Sequence, residues 1–145
     1  MRKRTIGIFV LLCGISVFLS QAGSAQQDQT LRPAESPPVL NLSQAVMCED
    51  IIANIPRNQT VVFSVAREKA VCFTSFNKVS EKTFVYHNWY YKDVPSARIR
   101  LTIQPPRWST FSSIQIRRTD VGPWRVEITD SQGEILHVLR FSITD

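Results

Sequence analysis

Through the second half of the chain, apolar and polar residues alternate with the two-residue period of a half-buried strand. Arg98-Ile99-Arg100-Leu101-Thr102-Ile103-Gln104 and Trp124-Arg125-Val126-Glu127-Ile128-Thr129 each set apolar side chains on one face and mostly polar or charged ones on the other. Beyond Asn58 the chain is a series of short runs rich in Val, Ile, Thr and aromatic residues, with turn residues between them. The pattern predicts strands near Thr60–Ala66, Ala70–Phe76, Thr83–Tyr91, Ala97–Gln104, Phe111–Arg117, Trp124–Thr129 and Ile135–Thr144. Asp130-Ser131-Gln132-Gly133 joins the last two as a hairpin, with glycine where a positive φ is needed. Leu42 to Ile55 admits two readings. It is either a short helix capped by Ser43 and closed by Pro56, or a first strand that carries Cys48 toward Cys72. Seven short strands without a long helix predict an all-β, immunoglobulin-like antiparallel sandwich, with a small β-barrel as the alternative.

The first residues obey a different logic. Arg2, Lys3 and Arg4 precede an apolar run from Ile6 to Leu19, and the small residues Ala22, Gly23, Ser24 and Ala25 follow. This is the pattern of a secretory signal peptide, with cleavage expected after Ala25. The apolar run falls short of the ~20 residues of a bilayer-spanning helix, so no membrane span is expected after cleavage, and retention as an anchor is the competing reading. Residues 26–38, QQDQTLRPAESPP, read as a flexible spacer, and residues 39–145 as a single domain.

Removing residues 1–25 changes the charge balance. Three of the 17 basic residues leave and none of the 12 acidic ones, so the formal net charge falls from +5 to +2. The basic character is thus largely a targeting feature, and a nucleic-acid partner is not expected. Cys13 leaves as well, and Cys48 and Cys72 remain as an even pair in an oxidising, periplasmic or extracellular, compartment. A Cys48–Cys72 disulfide is expected. Closing about 24 residues would stabilise the fold by roughly 3.5 kcal/mol on the chain-entropy account.

Cys72-Phe73-Thr74, His87-x-Trp89-Tyr90, Arg107-Trp108 with Phe111-Ser112-Ser113, Gly122-x-Trp124-x-Val126, Asp130-x-x-Gly133 and Phe141 follow one another in a distinctive order. This order resembles an uncharacterised bacterial domain family, one catalogued as a domain of unknown function, over about Ala45 to Asp145. The resemblance implies a compact all-β domain found after a signal peptide, or joined to membrane or regulatory segments. It implies no catalytic residues. The family pattern carries a basic residue after the Arg-Trp pair, where Ser109 stands in this chain.

The candidate chemistry is sparse. His87 and His137 are the only imidazoles and lack the spacing of a zinc motif, so neither a metal nor another cofactor is expected. His137 shares strand parity with Leu139 and Phe141, which predicts a hydrogen-bonded histidine at the core edge. There is no Gly-x-Ser-x-Gly elbow and no glycine-rich phosphate loop, so an enzyme is not expected. Tyr86, Trp89, Tyr90 and Tyr91 fall within six residues, more bulk than one core face holds, which makes this strand a candidate aromatic platform together with His87. By parity, Trp108 and Trp124 are assigned to the core. Arg98, Arg100, Arg117, Arg125 and Arg140 lie opposite inward positions, so three or four of them are candidates to share one face, answered there only by Glu127. Tyr86, His87, Trp89, Tyr90, Arg98 and Arg100 are therefore the candidate binding residues. The expected function is an exported, non-enzymatic interaction module whose partner is an envelope protein. Glycan or cell-wall binding through the aromatics is the second reading, and a hydrolytic or metal-dependent enzyme the third.

Overall fold

Among the described residues nine strands form, separated by tight turns and two single-turn 3-10 segments. In chain order they are β1 (Asn41–Ile52), β2 (Ile55–Gln59), β3 (Val62–Ser64), β4 (Lys69–Asn77), β5 (Thr83–Tyr91), β6 (Val94–Ile103), β7 (Arg107–Gln115), β8 (Gly122–Thr129) and β9 (Ile135–Thr144). The computed structural model describes residues 40–145, and the expected signal peptide and spacer lie outside them. Residues 42–52 are strand, not helix, and pair antiparallel with β4. β2, which the sequence pattern did not predict, is a short hairpin partner of β1 and contains Pro56. It forms an outer edge, where a strand tolerates proline because one side of its ladder needs no donor.

The strands build two open sheets, β2-β1-β4-β7 and β3-β9-β8-β5-β6, not a closed barrel. All pairings are antiparallel except β3 with β9, which run parallel. Three strands in one sheet, β1, β4 and β7, face a second sheet in which β9, β8 and β5 are neighbours. This is the immunoglobulin order, with β4 and β7 as the B and E strands and β5, β8 and β9 as C, F and G. Trp89 on β5 is fully buried, as the tryptophan of the C strand is in that architecture. Its ring meets Phe141 edge-on at 6.0 Å, and Phe141 in turn stacks on Trp124 at 6.1 Å. Phe63, Phe76, Val85, Val126, Ile128 and Ile143 close the core around them.

The expected disulfide does not form: Cys48 and Cys72 are both free thiols. The strand register explains why. Cys72 pairs with Met47, whereas Cys48 pairs with Val71, so the two cysteines are offset by one residue and point to opposite faces of their sheet. Cys72 enters the main core, while Cys48 joins Val71 and Phe73 in a smaller cluster on the far side. Side chains that diverge across a sheet cannot be bridged without moving the backbone. Burial raises the pKa of both thiols and keeps them protonated.

Candidate functional site

β5 divides the candidate residues between two environments. Thr83, Val85, His87 and Trp89 point inward and are buried, whereas Phe84, Tyr86, Asn88 and Tyr90 alternate with them on the outer face and are half-buried. The aromatic run is therefore no single platform, because His87 and Trp89 belong to the interior.

Inside, His87 joins the two sheets. Its Nδ1 lies 2.8 Å from Ser112 Oγ on β7 and its Nε2 lies 3.1 Å from Thr74 Oγ1 on β4. Trp89 Nε1 donates to Ser112 Oγ at 3.1 Å, and the Thr74 hydroxyl donates to the Thr110 carbonyl at 3.5 Å. One assignment of protons satisfies the whole chain of bonds. The Trp89 N–H donates to Ser112, the Ser112 hydroxyl donates to His87 Nδ1, and the His87 Nε2–H donates to Thr74. His87 is thus the neutral Nε2–H tautomer. Desolvation lowers its pKa to about 4, since no carboxylate stands beside it to stabilise an imidazolium.

Outside, three guanidinium groups lie over three aromatic rings. Arg98 sits 3.8 Å above the centroid of Tyr86, Arg100 3.9 Å above Phe84 and Arg125 4.0 Å above Tyr90. The register pairs Asn88 with Arg98 and Tyr86 with Arg100, so both β6 arginines lean two residues along β5 to reach their rings. Phe84 and Tyr86 meet edge to face at 5.5 Å, so these two rings form one unit. Each stacked pair contributes about 0.5–1 kcal/mol at an exposed site. Arg98 and Arg100 are exposed, whereas Arg125 is held by Glu127 Oε1 at 2.9 Å and by Asp93. Partial burial and the neighbouring Glu127 raise the pKa of Tyr90, which keeps its hydroxyl protonated.

Four of the arginines assigned to a common face share it: Arg98, Arg100, Arg125 and Arg140, the last paired in register with Arg125. Arg117 does not, because it caps a 3-10 turn after β7 in the other sheet's connection. Asp93, absent from the expected set, enters from the hairpin between β5 and β6. Two aromatic or imidazole assignments also change. Trp108 is 37 % exposed and lies outside the core, near the start of edge strand β7 and opposite Phe76. His137 is exposed as well, near the start of β9. Trp124 is buried as expected, its indole N–H donating to the Asp120 carbonyl at 2.8 Å. Among the described residues, no group of three or more His, Cys, Asp or Glu side chains converges, and no helix is long and apolar enough to cross a membrane.

The fold places the chain among immunoglobulin-like β-sandwiches. Residues 82–143, from the start of β5 to the end of β9, match the model of a family described as "Protein of unknown function (DUF2914)", in agreement with the resemblance to an uncharacterised domain family. No curated protein matches the chain. Similar solved structures include a beta-glucosidase from Listeria innocua in complex with isofagomine, at 9% identity and a TM-score of 0.42 over 73% of this chain and 16% of that one. Another is the Beta-D-glucoside glucohydrolase from Trichoderma reesei, at 15% identity and a TM-score of 0.37 over 74% of this chain and 19% of that one. The chain spans less than a fifth of the length of either enzyme.

Proposed function

We propose that the protein is an exported, non-enzymatic interaction module, periplasmic or secreted, that docks an acidic surface of another envelope protein through the outer face of β5, β6 and β8. One observation carries this reading: the guanidinium carbons of Arg98, Arg100 and Arg125 lie 3.8, 3.9 and 4.0 Å from the ring centroids of Tyr86, Phe84 and Tyr90. Their stacking fixes the guanidinium planes before any partner arrives, which lowers the entropic cost of a bidentate bond to a carboxylate. The same stacking argues against the glycan reading, because a sugar ring would need the aromatic faces that the arginines already cover. His87, which a hydrolytic reading would require, is enclosed by Ser112, Thr74 and Trp89 and has no carboxylate partner. The basic start and apolar run at residues 2–19 support export.

The test is capture of envelope material on the immobilised protein, with an Arg98→Ala/Arg100→Ala variant and a Tyr86→Ala/Tyr90→Ala variant in parallel. A discrete protein that is lost with the arginine variant and released by raised salt is the expected result. Recovery of polysaccharide that depends on the tyrosines and not on the arginines would overturn the reading in favour of glycan binding. Trp89, buried in the core, is unsuitable as a probe of either.

A further inference from the structure

Resting on that reading, the register of β8 and β9 locates the point of closest recognition. Arg125 and Arg140 are direct cross-strand partners on the same face. Like charges so placed repel; Arg125 is compensated by Glu127 and Asp93, and among the described residues Arg140 has no such partner on its own side chain. Both arginines line a cleft of about 240 Å³ whose other walls include Lys92, Asp93, Trp124 and Phe141. Arg140 makes no ion pair among the described residues.

The hairpin tip is built to present a charge to this cleft. Lys92 and Asp93 form a two-residue connection with φ of 47° and 65°, values that an asparagine-glycine pair adopts far more readily. The Lys92 backbone N–H donates to the Pro123 carbonyl at 3.1 Å, which ties the tip to β8. Gly122 leaves room for the Lys92 chain: a Cβ there would come within 3.1 Å of Lys92 Cε, and the ammonium lies 4.8 Å from the Tyr91 centroid. Asp93, almost fully exposed, reaches back to bond Arg125. Arg125 thus carries two carboxylates of the chain itself, Glu127 on Nε at 2.9 Å and the exposed Asp93 on Nη1.

We infer that the cleft between Arg125, Arg140 and Lys92 is a carboxylate-binding subsite for a glutamate or aspartate side chain of an acidic partner segment, and that Asp93 is its resident competitor. A partner carboxylate displaces Asp93 from Arg125 and bridges the two opposed arginines, with Lys92, which lines the same cleft, beside it.

The test uses protein expressed from the full-length coding sequence, titrated calorimetrically with a capped hexaglutamate peptide at low salt and separately with inorganic phosphate. Asp93→Asn keeps a residue that tolerates positive φ, so the turn survives. It is expected to tighten peptide binding roughly three- to tenfold, and Arg140→Gln to weaken it by a similar factor. Asp145→Asn removes a charge at the chain end and controls for net charge, with an expected change within about twofold. An Asp93→Asn effect no larger than that of Asp145→Asn overturns the inference. So does phosphate binding at the cleft when the peptide does not bind, which would assign the site to a different oxyanion. Peptide binding that responds to Arg98→Ala/Arg100→Ala and not to Arg140→Gln or Asp93→Asn sinks the subsite and leaves the arginine-face reading standing. Absence of peptide binding together with loss of protein capture would sink both.

Discussion

Acidification tests the buried bridge between the sheets. His87 is neutral in the folded state with a pKa lowered to about 4, against 6.5 for an unperturbed histidine. Between these values the unfolded chain binds a proton that the folded chain refuses, so stability rises with pH across the window and is lost as pH falls through it. Linkage gives a loss of about 2 kcal/mol between about pH 7.5 and about pH 5, and about 3.4 kcal/mol once pH is well below both values. Urea unfolding followed by tryptophan fluorescence measures it, and 2 kcal/mol corresponds to a fall in midpoint of about 1–2 M for a domain of this size. Carboxylates elsewhere, such as Asp50 with its pKa lowered by Lys69, also titrate, so the decisive quantity is the difference between wild type and His87→Gln. The variant is less stable at neutral pH by about 1–3 kcal/mol, because Ser112 and Thr74 lose well-placed partners. It nevertheless shows a pH dependence smaller by about 2 kcal/mol over the same range. Equal pH dependence in the two proteins would refute the assignment of a buried, neutral His87.

Other consequences are simpler to check. Trp89→Ala is expected to cost about 3–5 kcal/mol in chemical denaturation and Trp108→Ala about 1 kcal/mol or less; comparable losses would mean that the burial of the two rings has been misjudged. Cys48 and Cys72 should resist a thiol-alkylating reagent in the native protein and both react after unfolding without reductant, whereas a mass two daltons lower before reduction would restore the disulfide. Arg98→Ala and Arg100→Ala should each change the melting free energy by no more than about 1 kcal/mol, since exposed cation–π pairs contribute little to folding; a larger loss would make the arginine layer a structural element and not a docking one.

The hydrophobic pattern carried much of the architecture. Arg98–Gln104 and Trp124–Thr129 alternate cleanly because each belongs to a sheet with one covered face, and the structure places their apolar residues inward. β1 was ambiguous because apolar and polar positions alternate irregularly along it, with a bulge between Leu42 and Gln44. The absence of the expected disulfide has a different cause. Cysteine count and spacing say nothing about register, and a one-residue offset between Met47–Cys72 and Cys48–Val71 reverses the direction of one side chain. Likewise, parity put Trp108 on the inner side but could not show that β7 would be an edge strand. The arginine face was half legible: alternation showed which arginines point outward, while the strand order that gathers four of them and excludes Arg117 comes from long-range pairing. Asp93 was missed because the turn between β5 and β6 uses lysine and aspartate where hairpin signals usually show glycine or asparagine.

The order of strands also bears on how such a domain can be inherited. The stretch shared with the uncharacterised family begins at residue 82 and contributes β5, β6, β8 and β9, nearly the whole of one sheet, but only β7 of the other. Thr74, which completes the hydrogen bonding of His87, and Cys72 and Phe76, which help close the core, come from β4, upstream of that stretch. Val61 holds the last strand from its other edge through the Ser142 N–H, and it too precedes the match. A gene fusion that carried residues 82–143 alone would bring the arginine surface with its underside bare. The unit that closes this core is longer than the matched stretch, because β4 and Val61 lie ahead of residue 82.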